Sequence, residues 1–380
     1  MKYYLKMKKN KFDFNNKLFK CLKKRNIKFP ISSIFSSFIC KNIYIIFLLI
    51  FILLFIYNKD LNNQNVLQLN QNKNKFFFFE KNQDELKYCD NYGLFIYDYY
   101  DRKREYSHGN IGDYFQSLAA LQYLPKNCKP YFVDRDLVRY YYGPKIKLIM
   151  NSWNLLLQGN KLVSQQITPI FLSYHLSNNG KLPDIYINDL KKYSPIGCRD
   201  KKTRDQFIKY GIDAYFSSCL TTTLDIDYSI NENERTNEII FADFKLGNNP
   251  QVDDFLLSLK AYNLSSAIFI SHIFHTKLNH IERFQLAKRL LNRYSRARLI
   301  ITTRIHGALP CLSFNTPVIL INKKYNYRRF PGLYELLNTI GINKEKKFEI
   351  RVNIDDNGLI YNPKNYLIYA NKLKDRLRKF

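Results

Sequence analysis

The chain has 380 residues, 46% of them hydrophobic, so it is long and apolar enough to bury one or two sizeable cores and is not a disordered segment. With 13 Gly and 12 Pro it is neither collagen-like nor proline-rich, and 7 Cys without a CxxC pair indicate neither a disulfide scaffold nor a structural zinc site. The formal charge is +28, but Lys, Asn, Ile, Phe and Tyr, the residues of A/T-rich codons, are abundant together, so the charge alone specifies no partner.

Residues 1–41 carry 12 Lys/Arg and one acid, Asp13, and form a basic tail. Ile43 to Tyr57 then run without a polar break. As a helix this run reaches about 22 Å against a hydrocarbon core of ~30 Å, and adding Phe38 to Cys40 with a snorkelling Lys41 nearly closes the gap. A cleaved signal peptide is the main competitor, but the leader exceeds 40 residues and no small-x-small site precedes Asn58. The expectation is therefore a transmembrane signal anchor over 42–57. Its basic flank stays in the cytoplasm and the large C-terminal part crosses, a type II arrangement. Residues 58–85, rich in Asn, Gln and Lys, read as a solvated stem.

From there strands and helices alternate. Strands are predicted over 94–97, 147–150, 170–174 and 214–216, with helices over 112–124 and 200–210, the latter ended by Gly211. A second series follows, with strands over 238–241, 267–270, 298–302 and 318–321 and helices over 253–262, 281–294 and 305–312. Short apolar runs alternating with helices predict an α/β fold with parallel sheets covered on both faces. The expected architecture is two Rossmann-like domains facing a cleft, over 86–235 and 236–380, with the polar segment near Glu234 between them.

The sharpest chemical signal is Ile300-Ile301-Thr302-Thr303-Arg304-Ile305-His306-Gly307, a buried strand running through polar residues into a helix. Ligands of open α/β sheets bind at the carboxyl ends of strands, where a helix N-terminus offers N–H groups to an anion. Thr302 or Thr303 can cap that helix, Arg304 can fork onto a phosphate or carboxylate, and His306 is a titratable acid or base. The bland alternative is a capped helix with a surface Arg and a core His. Gly109-Asn110-Ile111-Gly112-Asp113 opens an earlier helix in the same way, and Gly197-Cys198-Arg199-Asp200 marks a third strand-to-helix junction. Cys198, Cys219 and His272 lack metal-ligand spacing, and the cysteines read as small buried thiols.

Taken together these segments resemble the polysaccharide pyruvyl transferase family. The likeness rests on Gly109 to Asp113 with Gln116-Ser117-Leu118-Ala119-Ala120, then Pro195-Ile196-Gly197-Cys198-Arg199-Asp200 with Thr203 where many members have Ser. It continues through Gly211 to Thr221, Thr303-Arg304-Ile305-His306-Gly307-Ala308-Leu309-Pro310-Cys311 and Thr316-Pro317-Val318-Ile319, covering roughly residues 93–340. The resemblance implies a fold similar to GT-B glycosyltransferases. The implied reaction moves pyruvate from phosphoenolpyruvate to a sugar diol of a glycan and forms a ketal. His306 and Arg304 are then the catalytic pair, and Arg199, Thr303, Asn110, Gly112 and Asp113 the donor-binding residues; Asp113 or Asp200 is a candidate base. Phosphoenolpyruvate is a co-substrate, and neither a metal nor another cofactor is expected. The competing readings are a nucleotide-sugar glycosyltransferase on the same scaffold and a non-catalytic, membrane-tethered carbohydrate-binding protein. Nucleic-acid binding is not expected, because the basic residues are scattered rather than clustered with aromatics. In a eukaryotic source the short apolar span suits the Golgi or another secretory membrane.

The type II topology is open to a direct test. Protease added to sealed microsomes is expected to trim only the tail and spare the C-terminal part; digestion of the large domain from outside would refute it.

Overall fold

The structure is a computed structural model that describes residues 87–99, 108–154, 161–176, 182–224, 234–275, 277–322 and 330–378. The expected basic tail, anchor and stem lie outside the described residues. Among the described residues, no helix is long and apolar enough to cross a membrane.

The first part of the chain contains β1 (Tyr88–Ile96), β2 (His108–Asn110), α1 (Ile111–Leu121), β3 (Lys129–Asp134), β4 (Ile146–Ile149), β5 (Trp153–Asn154), β6 (Ile167–Ile170) and β7 (His175–Leu176). It continues with α2 (Asp184–Lys192), β8 (Ile196–Cys198), α3 (Lys201–Lys209), β9 (Ala214–Phe216) and a 3-10 turn, Leu220–Thr223. Four of these strands form a parallel sheet in the order β3-β1-β4-β6. The second part comprises β10 (Ile239–Ala242), α4 (Pro250–Ser258), β11 (Ile268–Ile270), β12 (Ile273–His275), α5 (His280–Arg296), β13 (Leu299–Thr302) and α6 (Ile305–Ser313). It ends with β14 (Val318–Asn322), β15 (Asn338–Ile342), β16 (Phe348–Arg351) and α7 (Leu367–Leu377). Its sheet runs β11-β10-β13-β14-β15-β16, parallel except for the last pair.

Side-chain alternation shows why the second sheet reads as unbroken apolar runs. Ile240, Ala242, Ile300, Val318 and Leu320 join one core cluster, which also holds Leu94, Phe95 and Leu148 of the first sheet. Their neighbours Ile239, Phe241, Leu299, Ile301, Ile319 and Ile321 belong to a second cluster on the opposite face. Successive strand residues point to opposite faces, so a sheet covered on both sides needs apolar residues at every position. The two sheets thus share a core, and α1 lies within it with all eleven residues buried, packed on β1, α5, α6 and the 3-10 turn.

Several expectations shift on inspection. The strand expected over 170–174 ends at Ile170, because the chain turns away and Ser173 takes a φ of 58°. Helix α4 starts three residues earlier than expected, since the Asn249 side chain caps the backbone N–H groups of Gln251 and Val252 with Pro250 at the first position. The expected Thr302 or Thr303 cap of α6 is absent; Arg304 occupies the cap position and makes no side-chain cap bond. Cys89 and Cys128 form a disulfide, while Cys198, Cys219 and Cys311 are buried free thiols.

Helix α6 is fixed from behind by Arg235. Its Nη1 donates to Ser295 O (2.9 Å) and Thr316 Oγ1 (2.9 Å), and its Nη2 to Phe314 O and Asn315 O, both at 3.0 Å. The guanidinium therefore meets carbonyls at the C-terminal ends of both α5 and α6, where a cation is favoured. Arg235→Lys keeps the charge but cannot span these acceptors. The expected loss is about 1–3 kcal/mol in urea unfolding, the scale of unmaking charged hydrogen bonds.

Candidate functional site

In each sheet the strand order reverses beside its first strand. β1 leads outward to β3 and the chain then returns to β4 on the other side; β10 leads to β11 and returns to β13. Such reversals open crevices at the carboxyl ends of the strands, the usual ligand position in open α/β sheets.

At the second reversal, Ala242 and Thr302 are paired at the ends of β10 and β13, and Asp243 and Arg304 project just beyond. Arg304 Nε donates to Asp243 Oδ2 at 2.7 Å. The loop is tied down by hydroxyls: Thr302 Oγ1 donates to Ala242 O and accepts the Arg304 N–H, both at 3.0 Å, and Thr303 Oγ1 donates to Asp243 O at 3.0 Å. Thr303 thus serves a backbone tie, and Arg304, 36% exposed, faces the opening. His306 follows in the first turn of α6, 5% exposed. Gly307 sits where a Cβ would lie 2.9 Å from Thr302 Oγ1 and 3.0 Å from His272 Cε1, so only glycine lets α6 begin this close to the strand ends.

The other predicted segment meets this one. Asn110 caps α1 by accepting the Gly112 N–H on Oδ1 at 3.2 Å. A Cβ on Gly112 would lie 2.8 Å from His306 Cβ, so two helix N-termini nearly 200 residues apart in sequence touch through a missing side chain. β2 pairs with β12, and the Ile111 N–H donates to His272 O at 2.8 Å, which locks the approach. Asp113, also in the first turn of α1, accepts from Tyr99 Oη (3.0 Å) and Gln116 Nε2 (3.3 Å).

Gln116 lies one turn further on the same face of α1, about 6 Å of rise from Gly112. Its Oε1 accepts from Arg199 Nη1 at 3.2 Å and its carbonyl from Asn151 Nδ2 at 2.7 Å. Arg199 is 0% exposed, and its Nε and Nη2 meet no hydrogen-bond partner among the described residues. Asn151 Oδ1, Ser173 Oγ and Ser218 Oγ, all at strand ends of the first half, are equally buried and unpartnered among them. A buried guanidinium with open donors costs stability unless a polar group reaches it. Arg199 is therefore enclosed where Arg304 is open. Asp200, the other candidate base, caps α3 and is committed to His175 Nδ1 (2.6 Å) and Thr203 Oγ1 (2.9 Å), all three being buried.

Local electrostatics separate the groups. Burial pushes the Asp243 carboxyl up, but the Ser271 hydroxyl, the Arg304 charge and the His272 N–H outweigh it and hold it below the usual carboxylate range. Burial drives His272 down to about 4, with the Asp243 charge opposing and the Arg304 charge assisting, so it is neutral at pH 7. Burial pushes the thiols of Cys198, Cys219 and Cys311 up, which leaves them inert. Among the described residues no group of three His, Cys, Asp or Glu side chains is placed to hold a metal ion. Asp243 and Ser271 were not foreseen from the sequence; the only signal for Asp243 was an acid directly after a buried strand. The sequence offers His272 only as a metal ligand without ligand spacing, and it stands with these two beside α6.

One comparison with known proteins names a family. The family model described as "Polysaccharide pyruvyl transferase" matches residues 110–325, more than half of the chain. A crystal structure of an uncharacterized protein from Klebsiella pneumoniae subsp. pneumoniae is similar at 14% identity and a TM-score of 0.39, covering 64% of this chain and 87% of that one. No curated protein sequence matches the chain.

The buried neutral His272 gives a pH signature. Its folded pKa lies below its ordinary value of 6.5, so between about pH 6.5 and 4 the unfolded chain binds more protons and stability falls with falling pH. Denaturant unfolding at several pH values is expected to show a shallower decline over that window in His272→Gln than in the wild type.

Proposed function

The chain belongs to the polysaccharide pyruvyl transferase family, and from that premise we propose that it transfers a pyruvyl group from phosphoenolpyruvate to a sugar diol of a glycan, forming a pyruvate ketal. That it is a transferase follows from the family; the donor, the acceptor and the residue roles are the proposal. The observation that carries it is the contact of Gly112 with His306. It gathers an open arginine, a titratable imidazole and an uncapped helix N-terminus at the reversal point of a parallel sheet.

Phosphoenolpyruvate brings a carboxylate and a phosphate. Arg304 holds one of them in its fork, and the first N–H groups of α6 add donors. His306 gives a proton to the methylene carbon, which becomes a methyl group and leaves the central carbon electrophilic. One sugar hydroxyl attacks that carbon, phosphate departs with the bonding pair, and the second hydroxyl closes the ring; of the two protons the hydroxyls release, one restores the imidazolium and the other goes to the departing phosphate. Asn110, Gly112 and Asp113 form the facing wall, and Arg199 supplies a buried positive charge behind it. The scheme uses phosphoenolpyruvate as co-substrate and invokes no metal. The same reading makes the chain a type II membrane protein of the Golgi or another secretory compartment, anchored by residues 42–57. The Cys89–Cys128 disulfide supports an oxidising lumen. The two sheets are then the two Rossmann-like halves of a GT-B-like enzyme, over 86–235 and 236–380.

The two central side chains are expected to fail differently. Arg304→Lys keeps the charge and loses the fork, so donor binding weakens while the protein stays folded. His306→Ala leaves donor binding largely intact and slows turnover about 100-fold or more. Calorimetric donor titration, melting temperature and product mass, which separates a pyruvyl ketal from an added hexose, check this. Near-wild-type turnover in a folded His306→Ala protein would remove the imidazole from the mechanism.

A further inference from the structure

Arg304 is not held by its charge alone. It is gripped at Nε by Asp243 Oδ2 at 2.7 Å, and among the described residues no hydrogen bond engages its Nη groups. Asp243 is fixed in turn. Its Oδ1 accepts from Ser271 Oγ at 2.9 Å and its Oδ2 from the His272 N–H at 3.1 Å, while its carbonyl accepts from Thr303 Oγ1. Its backbone is left-handed, with a φ of 51°, at the carboxyl end of β10. A non-glycine residue adopts that conformation at a cost, which the three side-chain and loop contacts hold in place.

Resting on the reading that Arg304 binds the donor, we propose that Asp243 is a positioning residue: its carboxylate orients the Arg304 guanidinium so that the Nη1–Nη2 edge faces the donor's anionic groups. A guanidinium can be gripped along several edges, and a carboxylate on Nε selects among them. Without that grip the arginine keeps its charge but regains rotamer freedom, which weakens a fork more than a point contact. The arrangement also explains the presence of an acid beside an anion site. Its charge opposes the donor, so its benefit is geometric. Asp243→Asn should then preserve the function: the amide oxygen can accept from Arg304 Nε and the His272 N–H while the amide NH2 donates to Ser271 Oγ, and Asn tolerates a left-handed backbone.

The test is a double-mutant cycle on the full-length protein, read as the Kd for phosphoenolpyruvate by calorimetry alongside melting temperature. Asp243→Ala is expected to weaken binding about 10-fold in the wild-type background and to have no effect in an Arg304→Ala background. Asp243→Asn is expected to stay within about threefold of wild type. If Asp243→Ala does not fold, Asp243→Gly, free of the left-handed penalty, takes its place in the cycle. An equal loss in both backgrounds, or no loss beside a clear loss in Arg304→Ala, overturns the positioning role alone. Wild-type binding by Arg304→Ala overturns the donor-binding reading on which it rests.

Discussion

Helix α1 has no solvent face, and most of the site follows from that constraint. Ile111, Tyr114, Phe115, Leu118 and Ala119 pack into the shared core, so the polar residues between them have to find partners inside the protein. Ser117 Oγ donates to Phe95 O at 2.7 Å, Asp113 is met by Tyr99 and Gln116, and Gln116 reaches Arg199. A buried polar side chain left without a bond costs on the order of 1–3 kcal/mol. Each of these residues therefore dictates a second residue elsewhere in the chain. The predicted site residues Asp113 and Arg199 are linked in this way, through a helix that neither solvent nor a single sheet owns.

The same packing explains where the glycines stand. Helices normally approach with side chains between them, at 8–10 Å between axes. α1 and α6 meet end against end, with Gly112 against His306 and Gly307 against Thr302 and His272. Any side chain at either glycine would push the imidazole or the strand ends away. The β2–β12 ribbon and the bond from Ile111 N–H to His272 O hold the ends at that spacing. The N-termini of α1 and α6 are thus brought together, which concentrates positive partial charge at one place.

How much of this was legible in the sequence depended on whether the deciding contact was local. β10, β13 and β14 announce themselves because both faces are covered and every position is apolar. α3 and α6 follow from strand-to-helix junctions with Asp200 and Arg304 at the turn. β3, with Lys129, Pro130 and Asp134 in six residues, carries no periodic pattern; it is a strand because it pairs with β1. β15 and β16, which pair in series beside β14, were missed for the same reason, and the helices α2 and α7 were missed as well. The β2–β12 pairing and the Asp243–Arg304 pair join residues separated by 163 and 61 positions, and no spacing rule reaches that far. The expectation that a threonine caps α6 fails because Thr302 and Thr303 turn their hydroxyls back onto β10.

Net charge and site chemistry prove to be independent in this protein. The excess of basic residues consists largely of lysine, yet among the described residues every buried cation is an arginine: Arg135, Arg199 and Arg283, with no lysine among the buried polar residues. An ammonium is strongly hydrated and loses that hydration on burial, whereas a guanidinium is weakly hydrated and its planar donors can be matched in several directions. Arg283 uses this to tie α5 to Tyr97 O at 2.7 Å, and Arg135 stacks over Trp153 at 3.8 Å while forking onto Asp136. Those two arginines serve the fold. Arg199 and Arg304 differ in where they stand, one enclosed beside Gln116 and one at the opening beside His306. The distinction between structural and functional cations thus lies in where each guanidinium stands once the core is built, a property that composition does not register.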